Sequence, residues 1–290
     1  MNIKWFSLVL LALALSISAL AQSLETTLRG LSVAEAQARV EAAVNAQGLK
    51  VARTLNLGGQ VKNFRADFPD YLLLVLEPEA GVLAAVQENV MTAIILPPTI
   101  YVHAARPGVV TVGTFDPDLM FGMLGVKNTK SRLLGAKLKA IIASLGLPQR
   151  VAPAMMPDPS SGMLPAMLYK VEGASVEEIT LLIESELGNN GLNVLPTVMM
   201  GPVAGIQPCK SEWAYQMFTT QPAGGFAAPC RFFVAPMPDG VLVGAIEPML
   251  MGIMPGVAQS QPTMGMLQEA RRVMSQIIES VGGQPYRPGQ

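Results

Sequence analysis

Two stretches of this chain, 143 residues apart, start and stop a helix in the same way. Ser32-Val33-Ala34-Glu35 and Ser175-Val176-Glu177-Glu178 both read as capping boxes: the serine oxygen accepts from a free amide of the first turn, and the glutamate reaches back to the cap amide. Gly48-Leu49 and Gly191-Leu192 mark the ends, because glycine suits the left-handed position that closes a helix. Between cap and stop, Val33, Ala36, Val40 and Val44 have the spacing of Val176, Ile179, Ile183 and Leu187, one apolar stripe per helix. Such a repeat commits the chain to building one unit twice.

The agreement returns downstream at an offset of 132, where Leu134, Leu138, Ile141 and Leu145 match Met266, Ala270, Val273 and Ile277. A strand pair precedes each of these helices, Thr99 to His103 with Val109 to Thr114, and Arg231 to Ala235 with Val241 to Ile246. Each pair ends in an acidic residue before proline, Asp116-Pro117 and Glu247-Pro248. The drop in offset places about eleven extra residues in the first copy, between Leu49 and Leu76. The order is strand, helix, strand or strand pair, shorter helix, hairpin and long helix. It predicts an α+β fold of two similar two-layer domains, each a β-sheet with helices mainly on one face, arranged as a pseudo-dimer.

Outside the repeats, Lys4, the apolar run Phe6 to Leu20 and Ala19-Leu20-Ala21 read as a secretory signal cut before Gln22. The alternative is an uncleaved anchor, for which the run is short. No cysteine follows it, which leaves out a lipid anchor. The expected plan is a signal peptide over 1–21, a first domain over 22–146, a Pro, Met and Ser-containing linker over 147–164, a second domain over 165–282 and a disordered tail over 283–290. The location implied is periplasmic or extracellular, with no membrane span in the mature chain.

The sequence holds 20 basic and 21 acidic residues, and losing Lys4 with the signal leaves a net charge of about −2. This balance argues against a nucleic-acid partner, which calls for a basic stripe. Half of the residues are hydrophobic and only 14% are charged, so much of each domain's surface is expected to be covered by its sister or by another molecule.

Each copy resembles the domain of unknown function 302 family. In the second copy Met167-Leu168-Tyr169-Lys170-Val171, followed by Ser175-Val176-Glu177-Glu178, resembles the family's opening. Cys209-Lys210-Ser211-Glu212-Trp213-Ala214 stands where the family has Cys-Asn-Pro-x-x-Ala, and Ala228-Pro229-Cys230 where it has Leu-Pro-Cys. In the first copy the cysteines are replaced: Leu76-Glu77-Pro78 and Leu96-Pro97-Pro98 occupy the two motifs. The resemblance implies a two-layer α+β fold that tends to pair, and no established activity.

Cys209 and Cys230 are the sharpest chemical candidates. Cys209 precedes a short predicted helix, Lys210 to Phe218, whose free amides and dipole favour a thiolate, and Lys210 adds a positive charge. In an exported protein a structural disulfide is the plainer reading; free thiols that bind metal or react, and two unlinked buried thiols, are the others. Trp213, Pro229 and Glu247 are the expected neighbours of this site. Among the 18 methionines, Met249, Met251 and Met254 follow Glu247-Pro248, and Met120 and Met123 follow Asp116-Pro117. Thioethers suit Cu(I), while core packing is the ordinary role of methionine. No other cofactor is expected.

His103 is the single histidine, in an apolar strand, so no nucleophile–histidine–acid set and no multi-histidine metal site can be assembled. Phosphate-loop and dinucleotide fingerprints are absent. The expectation is a non-enzymatic binding or interaction module for a small ligand or protein partner. The alternative is a thiol-redox or soft-metal protein centred on Cys209 and Cys230.

Overall fold

The computed structural model describes residues 23–63, 65–151 and 165–287. The expected signal, most of the expected linker and the last three residues lie outside the described residues. The first half runs β1 (Ser23–Arg29), α1 (Val33–Ala46), β2 (Val51–Asn56), α2 (Leu57–Lys62), β3 (Tyr71–Leu76), α3 (Ala80–Glu88), β4 (Thr99–Arg106), β5 (Val109–Phe115), α4 (Pro117–Met123), α5 (Thr129–Leu145) and β6 (Gln149–Val151). The second runs β7 (Ala166–Glu172), α6 (Val176–Asn189), β8 (Asn193–Met200), β9 (Val203–Cys209), α7 (Ser211–Thr220), β10 (Phe232–Met237), β11 (Gly240–Ile246), α8 (Gln261–Ser280) and β12 (Gln284–Pro285). Among the described residues there are also 3-10 turns at Val90–Ile94, Pro222–Ala227 and Pro248–Ile253.

Both sheets are six-stranded and antiparallel. Their orders, β2-β3-β4-β5-β1-β6 and β8-β9-β10-β11-β7-β12, correspond strand for strand. The α+β class read from the sequence is the class of the structure. No helix among the described residues is long and apolar enough to cross a membrane.

The repeated local signals do what their chemistry dictates. Ser32 accepts from the Glu35 amide and Glu35 returns to the Ser32 amide. At the second cap only half of the expected box forms: Ser175 accepts from the Glu178 amide, and the return bond from Glu178 to the Ser175 amide is not made. At the other end, Gly48 and Gly191 take positive φ, and the Leu49 and Leu192 amides bond back to Val44 and Leu187. The extra residues of the first copy fall within 57–70, which carry α2 between β2 and β3; Gly201 and Pro202 alone join β8 to β9.

Two segments differ from expectation. Gln149–Val151, read as linker, pairs with β1. Gln284–Pro285, read as disordered tail, pairs with β7, and the Tyr286 amide donates to Leu168. An edge strand presents a row of unpaired amides and carbonyls, and in each half the chain leaving the long helix supplies partners for them.

Each sheet separates its side chains by the alternation of the pleat. Phe232 and Val234 of β10 face α6 and α8, in one cluster with Ile179, Ile183, Ala270 and Met274. Phe233 and Ala235 point the other way and join a second cluster that also holds Tyr71, Tyr101 and the first half's helix face. Glycine makes room for the large rings on this second face: a Cβ at Gly113 would run into Tyr101, and one at Gly244 into Phe233.

The face without helices is covered from the other half. The turn Pro222–Ala227 lies on β4 and β5, and the turn Val90–Ile94 lies on β9, β10 and β11. Tyr71 Oη donates to the Pro222 carbonyl at 2.6 Å, and Thr99 Oγ1 to the Phe226 carbonyl at 3.3 Å. Phe218 stacks on Tyr71 at 4.4 Å, and Tyr71 on His103 at 5.4 Å. In the other direction, Arg231 Nη1 donates to the Pro97 carbonyl at 2.6 Å. Arg53 meets Pro196, its own counterpart at the offset of 143, at 3.0 Å.

The close approach at Gly225 gives a test of this contact. A Cβ there would strike Tyr71 Oη and sit 2.9 Å from Tyr101 Cβ. Gly225→Ala is expected to cost about 1–3 kcal/mol by urea denaturation, the range for overpacking. In α8 the Cβ of Gly265→Ala meets open space, and that change is expected to raise stability by about 0.5–1 kcal/mol.

Candidate functional site

The second half contains a cavity of about 80 Å³ with an almost wholly apolar wall. Its floor is where β9 ends, at Cys209, and where the chain enters β10, at Ala228, Pro229 and Cys230. One side is α7, which turns Trp213, Ala214, Met217 and Phe218 inward. The opposite side is Ile246, Pro248 and Met251 with Met266, Leu267 and Ala270 of α8. Leu57, from the α2 insertion of the first half, closes part of the rim. Gly224 lets two thioethers approach: a Cβ there would lie 2.8 Å from Met217 Cε and 3.6 Å from Met251 Cε.

Five sulfur-bearing side chains therefore border one small space: Cys209, Cys230, Met217, Met251 and Met266. Both cysteines are free thiols, which corrects the expected disulfide. The β9–β10 ladder runs from Ala204–Val234 to Ile206–Phe232 and stops short of both cysteines, so strand pairing does not join them.

The expected thiolate is also corrected. The Cys209 thiol is pushed up to about 12, first by burial, then by the neighbouring Cys230 and Glu212. Burial pushes Cys230 up to about 11. The helix amides beside Cys209 are outweighed because burial disfavours the charged form more strongly. Nor does Lys210 supply a charge to the sulfur: its Nζ lies 3.2 Å from Glu269 and 5.0 Å above the Trp213 ring.

Of the residues singled out from sequence, Cys209, Lys210, Trp213, Pro229, Cys230 and Met251 line the cavity. Glu247, Met249 and Met254 do not. Glu247 is buried, caps the turn Pro248–Ile253 through the Met249 amide at 3.1 Å, and pairs with Arg271 at 3.0 Å. Met254 is fully buried in the core, and Met249 packs against that core from outside. Asp116 plays the same capping part at α4, 3.2 Å from Arg150; burial raises its pKa more than Arg150 lowers it. Met217 and Leu57 were not legible as lining, and Met266 read only as a helix-face residue. His103 lies away from the cavity, buried against Tyr71, and burial holds it down at about 4. Among the described residues no three His, Cys, Asp or Glu side chains converge in a metal-holding group.

Residues 24–145 match the family described as Domain of unknown function DUF302. The match falls on the cysteine-free half. No curated protein matches the sequence. Among solved structures, the chain is similar to an uncharacterized conserved DUF302 protein from Bacillus stearothermophilus, at 17% identity and a TM-score of 0.36, over 41% of this chain and 95% of that one. A second similarity is to an alkyldihydroxyacetonephosphate synthase, at 9% identity and a TM-score of 0.17, over 94% of this chain and 41% of that one.

Two titrations follow from these environments. With the thiols neutral to about 11 and 12, alkylation of the native protein by iodoacetamide is expected to stay slow at pH 8 and to accelerate only above about pH 10. Fast labelling of the folded protein at pH 8 would refute the buried-thiol assignment. For His103 the folded pKa lies below the unfolded value, so only the unfolded state takes up a proton between pH 6.5 and about 4. Stability is therefore lost as pH falls through that window, by up to about 3 kcal/mol. His103→Phe is expected to remove this loss, read from urea midpoints at pH 7 and pH 4.5.

Proposed function

We propose that this protein is an exported, non-enzymatic binding module in which two copies of the DUF302 domain pair within one chain, and the second copy carries the ligand site. The signal-like start, Lys4 and Phe6 to Leu20 with Ala19-Leu20-Ala21, supports export. The pairing reading rests on reciprocity. Each half lays a 3-10 turn on the other's sheet, and Arg53 touches its own counterpart Pro196, as a two-fold relation requires of residues at its axis.

The observation that carries the binding reading is the apolar cavity beside Trp213. Apolar cavities of roughly 150 Å³ take up benzene or xenon, so one of about 80 Å³ suits a ligand, or the tip of one, with only a few non-hydrogen atoms. Nothing in its wall suggests bond-making chemistry. The thiols are held protonated, and Lys210 is engaged with Glu269.

A second reading is favoured by the wall's sulfur content. Two thiols and three thioethers are the donor set that selects Cu(I) among biological metals. Binding would require the thiols to lose protons that burial now retains, so affinity would rise with pH.

Both readings are open to one set of measurements. In the cleaved chain Trp213 would be the only tryptophan, since Trp5 lies in the signal-like segment, and its emission reports on the cavity. Xenon or benzene is expected to change that emission saturably. Ala214→Leu, which extends a lining side chain into the cavity and leaves Trp213 the single reporter, is expected to abolish the change. Cu(I) competition against a chromogenic chelator tests the second reading, which predicts one ion per chain, proton release on binding, and loss in Cys209→Ala and Cys230→Ala. Absence of a saturable response to either apolar probe would remove the first reading, and absence of Cu(I) uptake the second.

A further inference from the structure

The pseudo-symmetry exposes a position where the two halves differ in a way the fold does not require. In the first sheet Val75 stands opposite Thr99, and the Thr99 hydroxyl is satisfied by the Phe226 carbonyl. At the offset of 132 the corresponding residues of the second half are Gln207 and Arg231, each one residue past the last ladder pair, Ile206–Phe232. The Ile206–Phe232 register and the bond from the Ile246 amide to the Arg231 carbonyl fix Arg231 in line with β10. Directly opposed residues of an antiparallel pair project to the same face. Here it is the face of Phe233 and Gly205, two residues along each strand, against which the first half packs.

Arg231 is 1% exposed, yet only its Nη1 has a partner, the Pro97 carbonyl at 2.6 Å. Nε and Nη2 have none. These two form the edge of the guanidinium that grips a planar anion through two parallel hydrogen bonds. Gln207, also 1% exposed, has neither end of its amide engaged. The turn Val90–Ile94 lies over these strands, and its Thr92 is fully buried with an unpartnered hydroxyl.

A buried cation without a counter-ion is strongly unfavourable, and buried polar groups are normally hydrogen-bonded. Among the described residues Arg231 forms no ion pair, and burial alone lowers its pKa to about 9, with no carboxylate acting on it. The sister pair Val75 and Thr99 shows that the same scaffold position folds without this polarity.

We infer that Arg231 and Gln207 hold a small planar monovalent oxyanion, of the nitrate, formate or hydrogencarbonate kind, between the two halves of the chain. Two of its oxygens accept from Arg231 Nε and Nη2, and Gln207 Nε2 donates to the same group. Hydrogencarbonate adds an O–H that can donate to Gln207 Oε1, the remaining unpartnered acceptor. The site is separate from the sulfur-lined cavity, whose wall does not include Arg231 or Gln207.

The test is thermal unfolding of the whole protein in nitrate, formate or hydrogencarbonate against gluconate, which is too large, at one ionic strength and pH. The planar anions are expected to raise Tm by several degrees, in proportion to the logarithm of their concentration. The double variant Arg231→Thr with Gln207→Val, which installs the first half's own pair, is expected to lose that dependence. Equal responses of wild type and variant would overturn the proposal. If the variant does not fold, a crystal structure of the wild type grown in formate decides: a planar ion on the Nε–Nη2 edge supports the site, and ordered water alone there overturns it.

Discussion

Each sheet carries its helices on one face only, and the rest of the structure depends on how the other face is kept from water. That face holds Tyr71, Tyr101 and His103 in the first half and Phe233 and Ala235 in the second. Burying apolar surface is worth about 25 cal/mol per Å², so two such faces left open would be costly and adhesive. The other half supplies the cover. A 3-10 turn from each side lies across the opposite sheet, and Phe218 continues the ring stack that begins at His103. This cover accounts for a chain with so little charge: much of its surface is interior once both halves are present.

Given a scaffold built twice, the informative positions are those where the copies differ. Glu77 and Pro98 stand where the second half has Cys209 and Cys230, and Val75 and Thr99 where it has Gln207 and Arg231. Both cysteines and the buried Gln207 and Arg231 therefore lie in one half. The DUF302 match over residues 24–145 lies in the other, which has no cysteine. Burial governs both groups of residues by the same rule. It keeps the thiols protonated and draws the guanidinium towards its neutral form, because a low-dielectric surrounding penalises whichever form is charged.

Local signals were the most legible. The serine caps, the positive-φ glycines and the apolar stripes appear where the sequence placed them, since each depends on side chains within one or two turns. The change of offset located the α2 insertion correctly. The site was legible in part. Cys209, Lys210, Trp213, Pro229, Cys230 and Met251 do share one cavity. Met217 carries no motif, and Leu57 arrives from the other half of the chain, so neither could be found by spacing. Met249 and Met254 were indistinguishable from Met251 in sequence; only the path of the turn Pro248–Ile253 and the packing of α8 separate them. The edge strands β6 and β12 were missed because three and two residues carry no periodicity, and their pairing is set by the open sheet edge beside them.

By itself the sequence determined the repeated unit, its helices and their buried stripes, and the α+β class, because caps, stops and periodicity act over a few residues. It also determined which half carries both cysteines. The tertiary structure decided the rest: that the helix-free faces cover one another, that the cysteines are separate neutral thiols in an apolar wall, and that Arg231 is buried with its fork unpartnered. These outcomes depend on desolvation and on strand register, both set by residues distant in the chain. A helix-terminus argument at Cys209 was physically sound but acted against a larger effect, burial, that becomes visible only once the halves are packed.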